Sequence, residues 1–587
     1  MGDVNEFAGP VARGAGPART REDMMKDKPS IQSMDPAKLL RLRQRSVAEI
    51  VQAQLSGAEP VQLLAEVKAA QANSYYEQIG SVGYQPQTER LEAVVYVNHP
   101  SGYGGRLCGT RSEEYVRFFA SSDDGASWED LGMASVRVWD VPEGTEGRKR
   151  LEYAVGLSHS FKRWICTRPR LLRVRAILSW NVPPPAGNAA HVPVWGEIHD
   201  TRILVEPKRQ LQVKDLVSIA NVGVTAELAS LVDPDAIVPS AIKPAALATI
   251  AQTYQAAGVA PARTAFPLLA PMLAKPAALA AAPALTPALA ELSIDLAKLD
   301  LAALVSPGDG DTSYEELEAI GYDPERDELV GVIRVKKSVG YSGGPCTSGS
   351  AEHVTFWADL DGNGSFETCL GTTSVQVYDI PDMPREGLEF AVHHPAGLLK
   401  LRKPCQDGPV VVRIRAILSW AVPIPCSEPN RVPVWGNREE TLVHVKPGQR
   451  VTGSLTPLLM RVGEIPQDRI DAAGLIQNGI ALSTGVAFNA APFGGRIHIS
   501  GRILNGTATT RYRVMIRKHP DPNFVPLSFE PDGIMLRVTS WPVEVNTTIH
   551  ADADGYYAYQ DYDVPNHFVQ NSLMALWQTD MGEHGST

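Results

Sequence analysis

"RAILSWNVPPPAGNAAHVPVWG", Arg175 to Gly196, returns as "RAILSWAVPIPCSEPNRVPVWG", Arg415 to Gly436, with 14 of the 22 paired positions identical. In the first copy Val174, Ala176, Leu178 and Trp180 fall on one face, while Arg173, Arg175 and Ser179 fall on the other. That period of two is the signature of a β-strand with one buried face, and Ile414, Ala416, Leu418 and Trp420 repeat it. Each strand runs into a proline-rich stretch that cannot continue a hydrogen-bonded ladder, and each re-enters at "VPVWG" with a second tryptophan, Trp195 or Trp435. Trp180, Trp195, Trp420 and Trp435 are therefore expected as buried anchors of two equivalent cores.

The repetition reaches much further. "YEQIGSVGY" (Tyr76 to Tyr84) returns as "YEELEAIGY" (Tyr314 to Tyr322), "GYGGRLC" as "GYSGGPC", "ASVRVWDVP" as "TSVQVYDIP", and "LEYAV" at Leu151 as "LEFAV" at Leu388. Partner positions stay 237 to 240 residues apart, so a whole domain is duplicated rather than a short solenoid unit. "YVRFFA" and "HVTFWA" alternate in the same way, placing Val116, Phe118 and Ala120, or Val354, Phe356 and Ala358, on one side. Such runs, set between Gly, Pro and Asp clusters, indicate an antiparallel sandwich or barrel, and the sandwich is preferred.

The expected fold is mainly β: two duplicated antiparallel β-sandwich domains and a third, C-terminal β-sandwich, with a helical N-terminal segment and a helical Ala/Pro-rich spacer. The boundaries are 1–34 (disordered), 35–75 (helical, opened by Asp35-Pro36), 76–207 (first copy) and 208–313 (spacer), then 314–447 (second copy), 448–489 (connector) and 490–587 (C-terminal Ig-like β domain). A second short helix is expected from Pro60 to Ala72. The spacer is too apolar for a purely solvated linker, which implies that parts of it pack on the repeats or on a partner. It is also where proteolysis is expected to separate the copies. In architecture the two copies and the C-terminal unit resemble the immunoglobulin-like or fibronectin-like sandwiches strung together in bacterial proteins. The resemblance covers about two thirds of the chain, rests on no diagnostic motif, and implies a scaffold for binding or spacing.

A formal charge of −11 argues against broad nucleic-acid binding, which needs a basic face. The most apolar stretch, Pro276 to Ala290, is interrupted by three prolines and falls short of the roughly 20 residues a spanning helix needs. No membrane span is expected. The N-terminus lacks the apolar run of a secretory signal, so a cytoplasmic location is the expectation, replaced by an extracellular or surface one if the paired cysteines are oxidised.

Both copies carry one cysteine pair at matching spacing, Cys108 and Cys166, then Cys346 and Cys405. Each pair is read as meeting in space within its copy, as a disulfide, as buried thiols or, least favoured, as metal ligands, while Cys369 and Cys426 have no equivalents in the first copy. "DLDGNGSFE" offers Asp359, Asp361 and Asn363 at calcium-loop spacing, but Leu370 stands where the bidentate Glu belongs, so a turn is preferred over a weak calcium site. Ser121, Asp123, Gly125, Ser127 and Trp128 resemble a single Asp-box and are also read as a turn. His159, His393 and His394 are read as solvated or locally hydrogen-bonded, and Glu315 with Glu316 as a solvated face at a helix start. No phosphate loop, nucleophile elbow or metal-protease motif is present.

The functional expectation is a non-enzymatic structural or protein-interaction module with protein partners and no cofactor. One alternative is a carbohydrate-binding surface protein stacking sugars on Phe119, Trp139, Trp357 and Tyr378. The other is a hydrolase, which requires perturbed carboxylates or a nucleophile beside a base in a cleft.

Overall fold

Each copy folds its alternating segments into the same seven strands. A computed structural model of the chain describes residues 43, 72–109, 112–142, 150–208, 211–212, 237–238, 243–273, 286–299, 304, 310–470, 495–518, 521–540, 543–562 and 567–579. The first copy comprises β1 (Glu77–Gln85), β2 (Arg90–Val97), β3 (Ser112–Ser121), β4 (Glu129–Val138), β5 (Leu151–Ser158), β6 (Leu171–Trp180) and β7 (Ile198–Leu204). The short strands β8 (Leu211–Gln212) and β9 (Ile237–Val238) follow, then helices α1 (Leu247–Ala257), α2 (Pro261–Leu273) and α3 (Thr286–Glu291). The second copy comprises β10 (Glu315–Asp323), β11 (Glu328–Val335), β12 (Ser350–Asp359), β13 (Thr368–Val377), β14 (Leu388–Pro395), β15 (Val410–Trp420) and β16 (Arg438–Val445). The chain is thus mainly β.

Four strands of each copy make a sheet, in the orders β4-β3-β6-β7 and β13-β12-β15-β16. The registers correspond, with Val116 opposite Leu178 and Val354 opposite Leu418. The other three strands do not stay within their copy. They join as one closed barrel in the order β1-β14-β11-β10-β5-β2. Pairing inside a copy is antiparallel, but the two joins between copies are parallel, with Tyr84 opposite Phe390 and Tyr322 opposite Tyr153. Since Tyr84 corresponds to Tyr322 and Tyr153 to Phe390, the joins are equivalent halves of one arrangement. This corrects the expectation of two self-contained sandwiches. A three-stranded layer leaves two unpaired edges, and joining it to its duplicate removes all four.

Alternation then divides the side chains of the barrel strands. One set packs with the four-stranded sheet of its own copy, as Val82, Val95, Val116, Leu178 and Trp180 do in the first copy and Ile320, Ile333, Val354, Leu418 and Trp420 in the second. The opposite face brings Val94 and Ala154 together with Ala319, Val330 and Val332 in one cluster from both copies. Arg90 faces its own counterpart, Glu328, at 2.8 Å. In a symmetric pair of identical chains that position would meet itself, so the duplicated copies carry complementary charges where like charges would otherwise meet.

The doubled proline-rich stretch is the cover on the outer face of each four-stranded sheet. It buries Phe119 with Ile177 and Ala189 in the first copy, and Trp357 with Phe366, Ile417 and Ile424 in the second. Its closing glycines, Gly196 and Gly436, have φ of +120° and +110° and lie against the carbonyls of Leu178 and Leu418, where no Cβ fits. Trp139 packs edge-on against His444 of the other copy, and Tyr378 joins the second core. All four aromatics expected as sugar platforms are therefore at most 7% exposed, which withdraws Phe119, Trp139, Trp357 and Tyr378 from that role.

Parts of the described spacer pack on the second copy, as its apolar composition implied. Ala265, Phe266 and Leu269 of α2, with Leu289 and Leu304, complete the core of the second copy. The expected disordered stretch 1–34 and helical segment 35–75 lie outside the described residues, apart from Arg43, which is helical, and residues 72–75.

The expected connector supplies strands of its own. β17 (Thr456–Val462) and β18 (Ile465–Pro466) pair into the sheet β18-β17-β19-β27 with β19 (Arg496–Leu504) and β27 (Leu573–Gln578). Around it stand β20 (Arg511–Tyr512), β21 (Met515–Ile516), β22 (Val525–Pro526), β23 (Ile534–Ser540), β24 (Val543–Ile549), β25 (Tyr557–Ala558) and β26 (His567–Val569). This C-terminal unit has its own core, including Ile497, Ile534, Leu536, Tyr557 and Val569. It docks on one end of the barrel through Arg326 with Glu464 at 3.0 Å and Arg502 with Asp327 at 3.4 Å, and on β3 of the first copy's four-stranded sheet through Arg469 with Glu113 at 2.6 Å. Among the described residues no helix is long and apolar enough to cross a membrane.

Candidate functional site: two guanidinium cages and the bridges between the copies

Glu77 opens β1 and Glu114 lies near the start of β3, both fully buried, and the repeat places Glu315 and Glu352 identically. Four aromatic rings enclose each carboxylate pair: Tyr76, Tyr103, Trp180 and Trp195 in one copy, Tyr314, Tyr341, Trp420 and Trp435 in the other. A single arginine fills each cage. The Arg43 guanidinium lies 3.8 Å from the Trp180 ring centre and 4.3 Å from that of Tyr76, and it donates to Glu77 at 3.0 Å and to the Gly102 carbonyl at 2.8 Å. Arg263 of α2 lies 3.5 Å from Trp420 and 4.4 Å from Tyr314, donates to both oxygens of Glu315 at 2.7 and 2.8 Å, and reaches the Gly340 carbonyl at 3.2 Å. Rings, carboxylates and carbonyl keep the repeat spacing, but Arg43 and Arg263 are only 220 residues apart. The receptors belong to the duplication, and their occupants come from the segments that precede each copy.

The chemistry of the cage is cation recognition. Planar guanidinium stacks on aromatic faces and pairs two-pronged with carboxylate, which a lysine ammonium does less well. Burial, and then the neighbouring Glu77, pushes Glu114 well above the usual carboxylate range, and burial with Glu315 does the same to Glu352. Burial raises Glu77 and Glu315 as well, against the pull of Arg43 and Arg263, so each buried pair resists carrying two negative charges beside one guanidinium. With Arg43 and Arg263 both fully buried, neither cage has space for a substrate.

A second set of pins ties α1 to the same place. Asp379 accepts from the backbone of Gly340 and Tyr341, each at 2.8 Å, and from the Tyr254 hydroxyl of α1 at 3.1 Å. Asp140 accepts equivalently from Gly102 and Tyr103. These turns carry the cysteine-bearing loops, and the pairing expected within each copy is corrected there. Cys108 bonds Cys405, and Cys166 bonds Cys346. Because Cys108 corresponds to Cys346 and Cys166 to Cys405, each copy's pair is satisfied reciprocally by the other copy's. A repeated pair can meet across a duplication axis as readily as within one repeat, and the shared barrel brings the loops together that way.

The remaining cysteines also bond, Cys369 with Cys426. Their counterparts in the first copy are Asp130 and Ala186. There the same loop is tied to the same strand by Arg117, which pairs with Asp130 at 2.9 Å and donates to the Pro184 carbonyl, while Gly187 N–H donates to Asp130 at 2.6 Å. One tie is ionic and the other covalent.

Several sequence candidates settle into local structural roles. Asp359 is nearly buried and accepts from the backbone of Gly362, Asn363 and Gly364, and the Asn363 side chain bonds Asp361 and the Ser365 N–H. Asp359, Asp361 and Glu367 do approach one another, but the acceptors of Asp359 and Asn363 are used in closing the turn. Asp123 likewise bonds Ser121 and Ser127 within its own turn. His393 and His394, read as solvated or locally hydrogen-bonded, are buried at the end of β14, where the His394 ring bonds the Leu370 carbonyl at 3.0 Å and burial lowers it to about 4. Glu315 is the largest miss: it is a strand residue in a cage, not a solvated helix start. A polar cleft of about 280 Å³ opens between the barrel end and the C-terminal unit, lined by Thr88, His159, Arg461, Glu464 and His498 among others. Its charges are of both signs and largely paired with one another.

The barrel carboxylates Glu152 and Glu389 are equivalent and both perturbed. Burial, and then Glu318, raises Glu389 to about 8, and burial raises Glu152 to about 7 against the pull of Arg150. A raised carboxyl stabilises the fold fully below its unfolded value near 4.3 and loses that contribution as pH climbs through the folded value. Stability should therefore fall between about pH 5 and 9 through these groups. Glu389→Gln should flatten that slope, gaining about 2–4 kcal/mol relative to wild type at pH 9 compared with pH 5. Urea denaturation at both pH values checks it; an unchanged difference removes Glu389 as the cause.

Neither a protein-family model nor a curated protein sequence matches this chain. Among solved structures, MtrC from Shewanella baltica OS185 aligns at 10% identity over 65% of this chain and 72% of that one, with a TM-score of 0.12. A biofilm-associated protein BSP domain aligns at 9% identity over 86% and 69%, also with a TM-score of 0.12. Likeness at that level assigns neither fold nor function.

Proposed function

We propose that this protein is a non-enzymatic structural or protein-interaction module of an oxidising, extracellular or surface compartment. In this reading each copy is an Ig-like sandwich whose three-stranded layer is merged with that of its duplicate. The observation that carries it is the reciprocal pair of disulfides, Cys108–Cys405 and Cys166–Cys346, which lock the copies together. Such bridges persist where the surroundings are oxidising, and this displaces the cytoplasmic expectation. The matched polar residues, which in an enzyme would serve chemistry, here hold the chain's own arginines. The enzymatic alternative would need those guanidinium groups to leave. The sugar-binding alternative has lost its four aromatic platforms.

The test is a free-thiol count on unreduced protein isolated from its native host. No modifiable thiol among the six cysteines is expected. Six free thiols would place the protein in a reducing compartment and end this reading.

A further inference from the structure

Seven of the eleven large apolar residues exposed among the described residues belong to the C-terminal unit: Leu459, Met515, Phe524, Val525, Met535, Val543 and Val545. The last two lie on β24, which among the described residues is an edge strand bonded only to β23 in the sheet β24-β23-β26. Val543 to Thr548 are all exposed. The pairing of β24 with β23 runs through seven residue pairs, Ile534–Ile549 to Ser540–Val543, without a register shift. Val545 and Thr547 lie opposite Val538 and Leu536, whose side chains are in the core, so β24 extends the apolar face of the sheet past the point where any described residue covers it. Edge strands are usually blunted by lysine, proline, an inward charge or a bulge. "VEVNTTI" has no lysine, proline or bulge, and its one charge, Glu544, pairs with Arg537 on β23.

We propose that β24 is a docking edge for a second copy of this chain, pairing antiparallel with its own equivalent about Asn546. The charge pattern selects that occupant. With Asn546 opposite Asn546, Glu544 meets Thr548, Val545 meets Thr547 and Val543 meets Ile549, so no like charges face each other although the whole chain carries −11. The outcome is a continuous six-stranded sheet, β26-β23-β24 joined to its twofold copy, with Val543, Val545, Thr547 and Ile549 of both chains forming one apolar strip. Closure of a twofold contact stops at the dimer.

The test is made on the full chain. Sedimentation equilibrium should give twice the 63.5 kDa chain mass for wild type, and Val543→Lys with Val545→Lys should return it to 63.5 kDa with unchanged circular dichroism. Asn546→Cys should cross-link quantitatively between chains under mild oxidation, because directly opposed Cβ atoms lie about 4.5–5.5 Å apart. A wild-type mass of 63.5 kDa, or a dimer in which Asn546→Cys does not cross-link, overturns the proposal. The thiol count above is independent of these results.

Discussion

Arg263→Ala should destabilise the second copy by about 3–5 kcal/mol, the usual cost of leaving a buried ion pair with one partner. Alanine strands the Glu315 carboxylate, fully buried, beside Glu352, and it opens a void among four aromatic rings. It also removes the polar pin that holds α2, so Ala265, Phe266 and Leu269 lose their register on the core. Arg263→Lys should recover only part of the loss, since an ammonium can satisfy one carboxylate oxygen but not stack as a plane on Trp420. Arg263→Met combined with Glu315→Gln and Glu352→Gln should recover more, because nothing is then left charged and buried. Urea denaturation followed by tryptophan fluorescence reads all three, with Trp420 and Trp435 lining the site. An Arg263→Ala variant within about 0.5 kcal/mol of wild type would mean the cage is incidental to the fold.

A single proteolytic cut in the spacer should leave the protein as one species on a denaturing gel without reductant and as two fragments with it. Both inter-copy disulfides span the cut, and they join residues 297 and 180 positions apart. Loops of that length are worth about 5 kcal/mol each in the chain-entropy model, less for the second once the first is closed. Cys108→Ser with Cys166→Ser should therefore melt well below wild type, and its nicked form should fall into two fragments without reductant. Fragments that separate from nicked wild type without reductant would show that the bridges do not cross between copies.

The strand faces were legible because burial on one side of a sheet enforces a period of two. Val174, Ala176, Leu178 and Trp180 are buried as the alternation required, and so are their equivalents in the second copy. The barrel was not legible: three strands with one apolar face read the same whether they close with their own copy or with another. The cysteine partners were also open, since six cysteines allow fifteen pairings and equal spacing in both repeats fits either answer. The cages do leave a signal in the sequence. Glutamate stands at the same place in "YEQIGSVGY" and "YEELEAIGY", and again in "SEEYVRF" and "SAEHVTF". A charged residue kept at the same place in both copies of a buried strand needs a partner. That partner could not be found by comparing the copies, because Arg43 and Arg263 come from outside them.

Duplication produced one interlocked body rather than two beads on a string. A non-reducing peptide map of the intact protein by mass spectrometry tests this. Linked peptides joining Cys108 to Cys405 and Cys166 to Cys346 are the predicted result; peptides joining Cys108 to Cys166 and Cys346 to Cys405 would contradict it.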